Sequence, residues 1–454
     1  MSKIQSINPF SWELNAEYEL FSDEIINKKI DLAHNAFLVW KNTSFEERKQ
    51  LFYKLAEVIE KDIEKYAKLQ TIEMWMLFTN SVAWLKSTCW LIRWYADNAW
   101  SILKDQDFSE NWTTWKYIYD PLGVIFWIWP WNFPYNQILR AAVANIIAGN
   151  TVVYKHASNV PMCAEQIEKF FENAGFPKWI YTNLFVSASK SEYIIANKYI
   201  RWVNLTGSEL AWRSIWALAW KYLKPSVLEL WWNDAFVLLD HTDTKKIIPE
   251  ATACRIWNAW QKCNSSKRFI ILEKHYDTFV KEIWEYIENL IIWDPMDAKT
   301  QISPLAKKSL VDDLNNQVQK SIYEWAILIT WWKKLWKNWE FYTPTVLADV
   351  KKGMTCYEEE TFWPVLSIIK SSSIEESIRI ANDSDFWLSA VVYWDNIEQC
   401  KKVAEKLEWG MIFINAPAWS KAHLPFWWVK NSWYWKENGA EGLKAFTNKK
   451  VVVY

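Results

Sequence analysis

Three polar side chains in the sequence have the chemistry needed to attack a carbonyl group. Cys263 lies in a polar loop, 258–265, just before the apolar run 268–272. Glu229 lies at the end of an earlier apolar run, and Asn132 lies between two prolines further upstream. A thiol can add to a carbonyl carbon, an amide can donate to the oxyanion, and a carboxylate can activate water. Together these residue types predict covalent catalysis on a carbonyl compound.

Each of these side chains also has a purely structural interpretation. A lone cysteine is usually an inert core residue, an asparagine between prolines can cap a turn, and a glutamate can be solvated or ion-paired. Two other functions remain open at this point. A cysteine hydrolase could use Cys263 and Glu229 without any cofactor, and a tryptophan-rich protein could bind carbohydrate without catalysis.

The composition argues against several classes of protein. The 454 residues are enough for two or three domains, and 52 basic residues nearly balance 53 acidic ones. We therefore expect neither a nucleic-acid nor a membrane partner. The sequence has no apolar run long enough to span a bilayer and no apolar signal segment at its start. Its six cysteines are dispersed, with no Cys-x-x-Cys pair, which predicts a cytoplasmic protein with no metal site.

The balance of tryptophan and glycine is abnormal. The chain has 37 Trp and 8 Gly, whereas a typical composition would give about 32 glycines. Many tryptophans lie in turn-like segments after apolar runs, such as 231–232 and 331–339. Such turns need residues that tolerate a positive φ, which Trp does poorly. Our hypothesis is that most of these tryptophans are glycines in the living protein, whose gene uses the stop-type codon UGA for glycine.

The elements that must position the three side chains follow an α/β pattern. The first hundred residues are predicted to be largely helical, and residues 105–120 to form a hairpin. From Gly123 onward, strands and helices alternate, which is typical of a parallel sheet. One of these helices is expected to be capped by Ser158 or Asn159. A second α/β unit follows from about 231 to 435.

Six short motifs occur in order along the chain. They are Pro130–Pro134 (Pro-Trp-Asn-Phe-Pro), Leu205–Ser208 (Leu-Thr-Gly-Ser), Leu228–Trp232 (Leu-Glu-Leu-Trp-Trp), Asn258–Cys263 (Asn-Ala-Trp-Gln-Lys-Cys), Glu359–Val365 (Glu-Glu-Thr-Phe-Trp-Pro-Val) and Leu424–Lys430 (Leu-Pro-Phe-Trp-Trp-Val-Lys). With glycine for every tryptophan except Trp131, they resemble the motifs of the aldehyde dehydrogenase superfamily in order and spacing. The resemblance covers nearly the whole chain. The local sequences around Lys155 and Cys263 are most similar to those of the short bacterial succinate-semialdehyde dehydrogenases.

The resemblance implies an α/β fold with two Rossmann-like parallel-sheet domains and a β oligomerisation arm. The NAD(P)-binding domain would comprise residues 1–107 and 123–230, and the catalytic domain residues 231–437. Residues 108–122 and 438–454 would form the arm of a homodimer or homotetramer. The chain ends in an apolar strand that needs a partner, and we expect it to pair with the hairpin of another subunit.

The resemblance assigns a role to each of the three side chains. Cys263 would attack the aldehyde to form a thiohemiacetal and later a thioester. Asn132 would donate its amide to the oxyanion, with the main-chain N–H of Cys263 as the second donor. Glu229 would activate the water that releases the free acid. A carboxylate at this position also argues against the CoA-acylating branch of the family.

The resemblance also implies a nicotinamide cofactor, NAD or NADP, although the sequence contains no Gly-x-Gly-x-x-Gly motif. Lys155 would reach the adenosine ribose and Glu360 the nicotinamide ribose. The remaining cofactor contacts would be Trp131, Thr206, Gly207, Ser208 and Phe362. Residues 206–208 open a helix, so their N–H groups can face phosphate. Ser158 stands where many NAD-specific members carry a glutamate that repels the 2′-phosphate, so the choice between NAD and NADP is open.

Arg140 is the clue to the substrate. It lies eight residues after Asn132, on a predicted helix, where it could point toward the substrate entrance. In succinate-semialdehyde-type members an arginine at this spacing binds the distal carboxylate, a role that suits a guanidinium. An ordinary helix-pairing arginine is the alternative. We therefore expect oxidation of succinate semialdehyde to the acid, with another small aldehyde as the alternative substrate.

Overall fold

The computed structural model describes residues 3–9, 11–229, 232–241, 243–256, 261–306, 308–329, 342–362, 364–426, 429–430 and 437–454. The amino-terminal part has a two-stranded antiparallel sheet and four helices: β1 (Lys3–Ile7), β2 (Leu14–Glu19), α1 (Asp23–Trp40), α2 (Phe45–Lys61), α3 (Ile63–Met74) and α4 (Phe78–Leu103). The predicted helical character of the first hundred residues is therefore confirmed. None of the described helices combines the length and the apolar character that crossing a membrane requires.

A parallel sheet of five strands follows. Its strands and helices are β5 (Val124–Ile128), α5 (Asn136–Ile147), β6 (Thr151–Lys155), α6 (Pro161–Asn173), β7 (Tyr181–Asn183), α7 (Ser191–Ala196), β8 (Ile200–Thr206), α8 (Glu209–Lys221) and β9 (Ser226–Glu229). The strand order is β7-β6-β5-β8-β9. β5 is buried along its whole length, as expected for a strand that is covered on both faces.

The second sheet has seven strands. Its elements are β10 (Ala235–Leu238), α9 (Thr244–Ile256), β11 (Arg268–Leu272), α10 (Glu273–Glu288), α11 (Lys308–Tyr323), β12 (Ile327–Leu328), β13 (Thr345–Ala348), α12 (Thr355–Glu358), β14 (Val365–Ser371), α13 (Ile374–Asn382), β16 (Ser389–Tyr393), α14 (Ile397–Ala404) and β17 (Met411–Ile414). The order is β12-β13-β14-β11-β10-β16-β17, and only β12 and β13 pair antiparallel. A short pair, β15 (Phe386–Trp387) and β18 (Val429–Lys430), lies beside it. The predicted α/β fold with two parallel sheets is confirmed, while the domain boundaries stay a prediction.

A third, antiparallel sheet contains the end of the chain. Its elements are β3 (Gln106–Glu110), β4 (Thr113–Pro121), α15 (Gly439–Ala445) and β19 (Thr447–Val453), with strand order β19-β4-β3. The expectation that the tail pairs with the hairpin of another subunit is wrong, because β19 pairs with β4 of its own chain. Asn150 holds the tail in place, since its Nδ2 donates to the carbonyl oxygen of Phe446 over 2.8 Å.

The start of α6 shows a second difference from expectation. The helix begins with Pro161 after Val160, and neither Ser158 nor Asn159 caps it. Instead, the carboxylate of Glu73 in α3 accepts the next two main-chain N–H groups at 2.7 and 2.8 Å. The first N–H groups of a helix need acceptors, and here the acceptor comes from a helix that is distant in sequence.

Several tryptophans have a left-handed backbone. They are Trp12, Trp75, Trp112, Trp179 and Trp325, with φ between 61° and 79°. Trp75 ends α3, and 111–112 forms the two-residue turn between β3 and β4, where Asn-Gly is the favoured pair. Glycine adopts these conformations without steric strain. The geometry supports the glycine hypothesis, which stays a prediction; Trp231, Trp260 and 331–339 lie outside the described residues.

Candidate active site

The three residues expected to act on a carbonyl group border one cavity of about 510 Å³. Glu229 is the last residue of β9, Asn132 lies in the loop after β5, and Cys263 lies in the loop before β11. Thr206, the last residue of β8, pairs in register with Glu229. The site therefore lies at the carboxyl ends of the five-stranded sheet, where α/β sheets bind ligands, and the loop before β11 of the second sheet brings the thiol to it.

Asn132 is fixed against the loop that carries the thiol. It is buried, and its Nδ2 donates to the main-chain carbonyl oxygen of Gln261 over 2.9 Å. Gln261 lies two residues before Cys263, and its Oε1 accepts from the N–H of Ala306 over 3.3 Å. An amide held in this position can donate to an oxyanion that forms beside the thiol.

The thiol of Cys263 is the most exposed of the six, since the other five cysteines are buried. Burial of the site raises the pKa of this thiol, and the negative charge of Glu229 raises it further. The cations Arg140, Lys267 and Lys262 lower the pKa but do not reverse the shift. The thiol is therefore protonated in the resting site, and its attack on a carbonyl needs a base.

Glu229 is placed to act as that base. The charge of its carboxyl group acts on the Cys263 thiol in the same cavity, and Thr206 Oγ1 donates to its Oε2 over 3.4 Å. Only 1% of Glu229 is exposed, and this burial raises its pKa well above the ordinary 4.5. Glu437 raises the pKa further, whereas Arg140 lowers it. A carboxyl group whose pKa is raised in this way can take up and return a proton near neutral pH.

Arg140, on α5, is buried between two carboxylates. Its Nη2 is 2.6 Å from Glu437 Oε2 and 3.6 Å from Glu229 Oε2. The centre of the Phe426 ring lies 4.9 Å from the guanidinium carbon. Its Nε has no acceptor among the described residues. The side chain is not part of the lining of the Cys263 cavity but borders a second cavity of about 370 Å³, lined by α4, α5 and the loop 420–423.

Most of the predicted cofactor contacts border the same cavity as Cys263. These are Trp131, Thr206, Gly207, Ser208, Glu360 and Phe362. The hydroxyl of Ser208 caps α8 by accepting from the N–H of Ala211 over 3.4 Å. Lys155 and Ser158 lie outside that lining: Lys155 ends β6, and Ser158 is exposed in the turn that follows.

A nicotinamide dinucleotide fits this arrangement. Gly207 and Ser208 border the cavity at the start of α8, and the amino end of a helix favours a phosphate. The register of the sheet places Lys155 beside Ile128, and Ile128 beside Leu205 at the end of β8. A positive charge therefore lies at the same sheet edge as the start of α8.

Two charged residues at the site are not singled out by the sequence. Glu437 bonds to Arg140 across 297 positions of the chain, which no local pattern can reveal. Lys267 is fully buried, and its Nζ donates to the carbonyl oxygen of Cys263 and lies 3.1 Å from Glu360 Oε1. The one available signal is that Lys267 comes directly before an apolar strand.

One cavity of this α/β fold joins a thiol, a carboxyl group and an amide, which are the residue types of covalent carbonyl chemistry. The family model of the aldehyde dehydrogenase family matches residues 1–452. The chain therefore belongs to this family, and the resemblance of its motifs is confirmed. It is an NAD(P)-dependent oxidoreductase of aldehydes, and neither a cofactor-free cysteine hydrolase nor a carbohydrate-binding protein is favoured.

Similar proteins include several succinate-semialdehyde dehydrogenases. The succinate-semialdehyde dehydrogenase [NADP(+)] of Deinococcus radiodurans is 32% identical over 447 residues, with 98% of this chain and 94% of the relative covered. The succinate-semialdehyde dehydrogenase [NADP(+)] 1 of Mycobacterium ulcerans is 34% identical, with 99% of each chain covered. The crystal structure of succinic semialdehyde dehydrogenase from Streptococcus pyogenes with NADP+ has a TM-score of 0.97 at 34% identity, covering 99% of each chain.

Proposed function

We propose that this protein oxidises succinate semialdehyde to the free acid, with NADP or NAD as the hydride acceptor. The observation that carries the proposal is the position of Arg140. Its buried guanidinium lies beside Glu229 and borders the second cavity, so it can meet the distal carboxylate of a short substrate. The relatives named above support the proposal, since their names specify the same substrate and NADP.

The proposed reaction has two stages, and residues of the site act in each of them. In the first stage, Glu229 takes the proton of the Cys263 thiol, and the thiolate adds to the aldehyde carbon. Asn132 and the main-chain N–H of Cys263 donate to the oxyanion. A nicotinamide dinucleotide held by residues 206–208 and Glu360 would supply the hydride acceptor that oxidation of the adduct to a thioester requires. Before the second stage, Glu229 releases the first proton to solvent. It then takes a proton from the water that attacks the thioester and returns this proton to the departing thiolate, which leaves the acid and the free thiol.

The proposed cofactor contacts follow the lining of the larger cavity. Trp131, Glu360 and Phe362 would hold the nicotinamide half, and residues 206–208 the phosphates. Lys155 would bind the adenosine ribose. Ser158 supports the use of NADP, because a neutral, exposed residue directly after β6 does not repel a 2′-phosphate.

The substrate assignment predicts a selective effect of Arg140→Ala. The variant should raise the KM for succinate semialdehyde roughly tenfold to a hundredfold, because a charge-assisted bond to the distal carboxylate is lost. The KM for butanal, which lacks that carboxylate, should change much less. Steady-state kinetics with both aldehydes give the ratio of the two effects.

Glu437→Gln is the matched control for this measurement. It removes the protein carboxylate that lies 2.6 Å from Arg140 but leaves the guanidinium in place. The ratio of the two KM values should therefore stay the same or shift in favour of succinate semialdehyde. Equal effects of Arg140→Ala on both aldehydes would reject the anchoring role, although aldehyde oxidation itself would stand.

We also propose a cytoplasmic homodimer or homotetramer that assembles through the arm formed by 108–122 and 438–454. The proposal is supported by the outer strands β3 and β19, whose side chains are mostly exposed and whose outer edges can pair with another chain. Residues 1–107 with 123–230 would bind the cofactor, and 231–437 would carry the nucleophile. Light scattering on the purified protein tests the assembly, and a monomer at micromolar concentration would contradict it.

A further inference from the structure

Lys267 is completely buried and is held firmly at its backbone. Its N–H donates to the carbonyl oxygen of Asp234 over 2.8 Å, and its own carbonyl oxygen accepts from Ser367 over 3.3 Å. Its Nζ donates to the main-chain carbonyl oxygen of Cys263 and lies 3.1 Å from Glu360 Oε1. One side chain thus connects the nucleophile to a carboxylate of the larger cavity.

The charges around Lys267 compensate one another. Burial raises the pKa of both Glu360 and Asp234, and the positive charge of Lys267 lowers it in each case. The buried guanidinium of Arg255 interacts with the same two carboxylates. Two cations and two anions form this group, so the loss of any one of them leaves a buried charge without compensation.

The Lys267 ammonium makes two contacts at the site, with the main chain of Cys263 and with the carboxylate of Glu360. Glu360 borders the same cavity as Cys263 and Glu229. The charge of Lys267 also lowers the pKa of the Cys263 thiol, together with Arg140 and Lys262 and against Glu229. A movement of the Glu360 carboxylate would therefore change both the main chain of the nucleophile and the electric field at its sulfur.

We propose that Lys267 is a positioning residue that couples the Glu360 side of the cavity to the reactivity of Cys263. A cofactor that engages the Glu360 carboxylate weakens its pairing with Lys267, and the ammonium then interacts more strongly with the nucleophile loop. The thiol becomes more acidic when the cofactor is bound. The inference rests on the proposed contact between the cofactor and Glu360, but it does not depend on which aldehyde is the substrate.

The rate at which iodoacetamide alkylates Cys263 tests this coupling. The other five cysteines are buried, so the rate reports on this thiol. NADP+ should accelerate alkylation of the unaltered protein at neutral pH by at least about fivefold. In Lys267→Met the acceleration should fall below about twofold. Without cofactor, the alkylation profile of this variant should also move to higher pH, because a cation near the thiol is lost.

Lys262→Met is the matched control. Lys262 lies in the same loop, but its Nζ donates to the main-chain carbonyl oxygen of Ala418 over 3.0 Å. This variant should keep the acceleration by NADP+. Glu360→Gln should lose it, and the double variant with Lys267→Met should lose nothing further, because the two residues act as a pair. If Lys267→Met does not fold, Glu360→Gln still tests the coupling with the lysine in place.

Undiminished acceleration in folded Lys267→Met, or in Glu360→Gln, would overturn the proposal. So would independent, additive losses in the double variant, or the absence of any acceleration in an unaltered protein that binds NADP+. Binding of NADP+ is measured separately by fluorescence titration. Failure to bind would reject the proposed cofactor site itself, and is therefore distinguishable from failure of the coupling.

Discussion

Arg140 Nη2 lies between the carboxylates of Glu437 and Glu229, at 2.6 and 3.6 Å. The three buried groups interact strongly because little water screens them. Glu437 raises the pKa of Glu229 and Arg140 lowers it, so both residues adjust the proton affinity of the proposed base. At the scale of single residues, the strength of the base therefore depends on neighbours that do not themselves react.

This arrangement predicts opposite effects of two substitutions on the acid limb of the pH–rate profile. Glu437→Gln removes a like charge, so the pKa of Glu229 should fall and the acid limb should move to lower pH. Arg140→Met removes the opposite charge, so the limb should move to higher pH. The measurement is kcat/KM for butanal, which needs no carboxylate anchor. Shifts in the same direction would contradict the proposed role of the pair.

Some residues of the site can be predicted from the sequence and others cannot, for a physical reason. Cys263, Glu229 and Asn132 lie in short motifs beside strands: Asn132 and Glu229 at the carboxyl ends of β5 and β9, and Cys263 before β11 of the other sheet. Glu437 and Lys267 act through contacts that the folded chain creates, across 297 positions in the case of Glu437. Local patterns carry no information about such long-range pairing, so only the structure reveals it.

At the scale of elements, Glu73 connects three parts of the amino-terminal region. It lies on α3, accepts two N–H groups at the start of α6, and has its pKa lowered by the side chain of Ser6 in β1. Only 1% of Glu73 is exposed, and this burial raises its pKa from 4.5 to about 7. The predicted cap at Ser158 or Asn159 is wrong because this distant carboxylate takes its place.

The raised pKa of Glu73 predicts a pH-dependent stability. The folded state holds the proton more tightly than the unfolded state, so this contribution is complete below about pH 4.5 and is lost as the pH rises through about 7. The total change is on the order of 3 kcal/mol. Glu73→Gln cannot ionise, so its Tm relative to that of the unaltered protein should rise between pH 5 and pH 8.

Glu57→Gln, on an exposed position of α2, provides the same chemical change without burial. Its Tm should follow that of the unaltered protein over the same pH range. A Glu73→Gln variant whose relative Tm is flat, or falls as the pH rises, would show that Glu73 titrates normally in the folded protein. Thermal unfolding followed by circular dichroism is sufficient for the comparison.

At the scale of the whole molecule, the alternation of strands and helices predicted both parallel sheets. The pairing of the carboxyl-terminal strand could not be predicted, because an apolar strand indicates that it needs a partner strand but not which chain provides that strand. α15 and the bond from Asn150 bring β19 beside β4 of the same chain. The glycine deficit is also a property of the whole chain, since left-handed tryptophans occur from Trp12 to Trp325.

Mass spectrometry of the native protein tests the glycine hypothesis. We expect an intact mass well below that of a chain with 37 Trp, because most of these residues should be glycine. Peptides that cover the left-handed positions, such as Trp75 and Trp112, should carry glycine. Trp131 should stay tryptophan and serves as the internal control. Intact tryptophan at positions 231 and 232 would reject the hypothesis.

The left-handed backbone of Trp12, with φ of 61°, has a consequence for the gene itself. Trp12 is the first tryptophan of the chain. If its codon is UGA, a host that reads UGA as a stop would release a peptide of residues 1–11, before β2 is made. The gene would then yield an enzyme only in cells that share its codon assignment. After transfer into other microbes it would produce no enzyme. One torsion angle near the start of the chain thus bears on which organisms can express the enzyme.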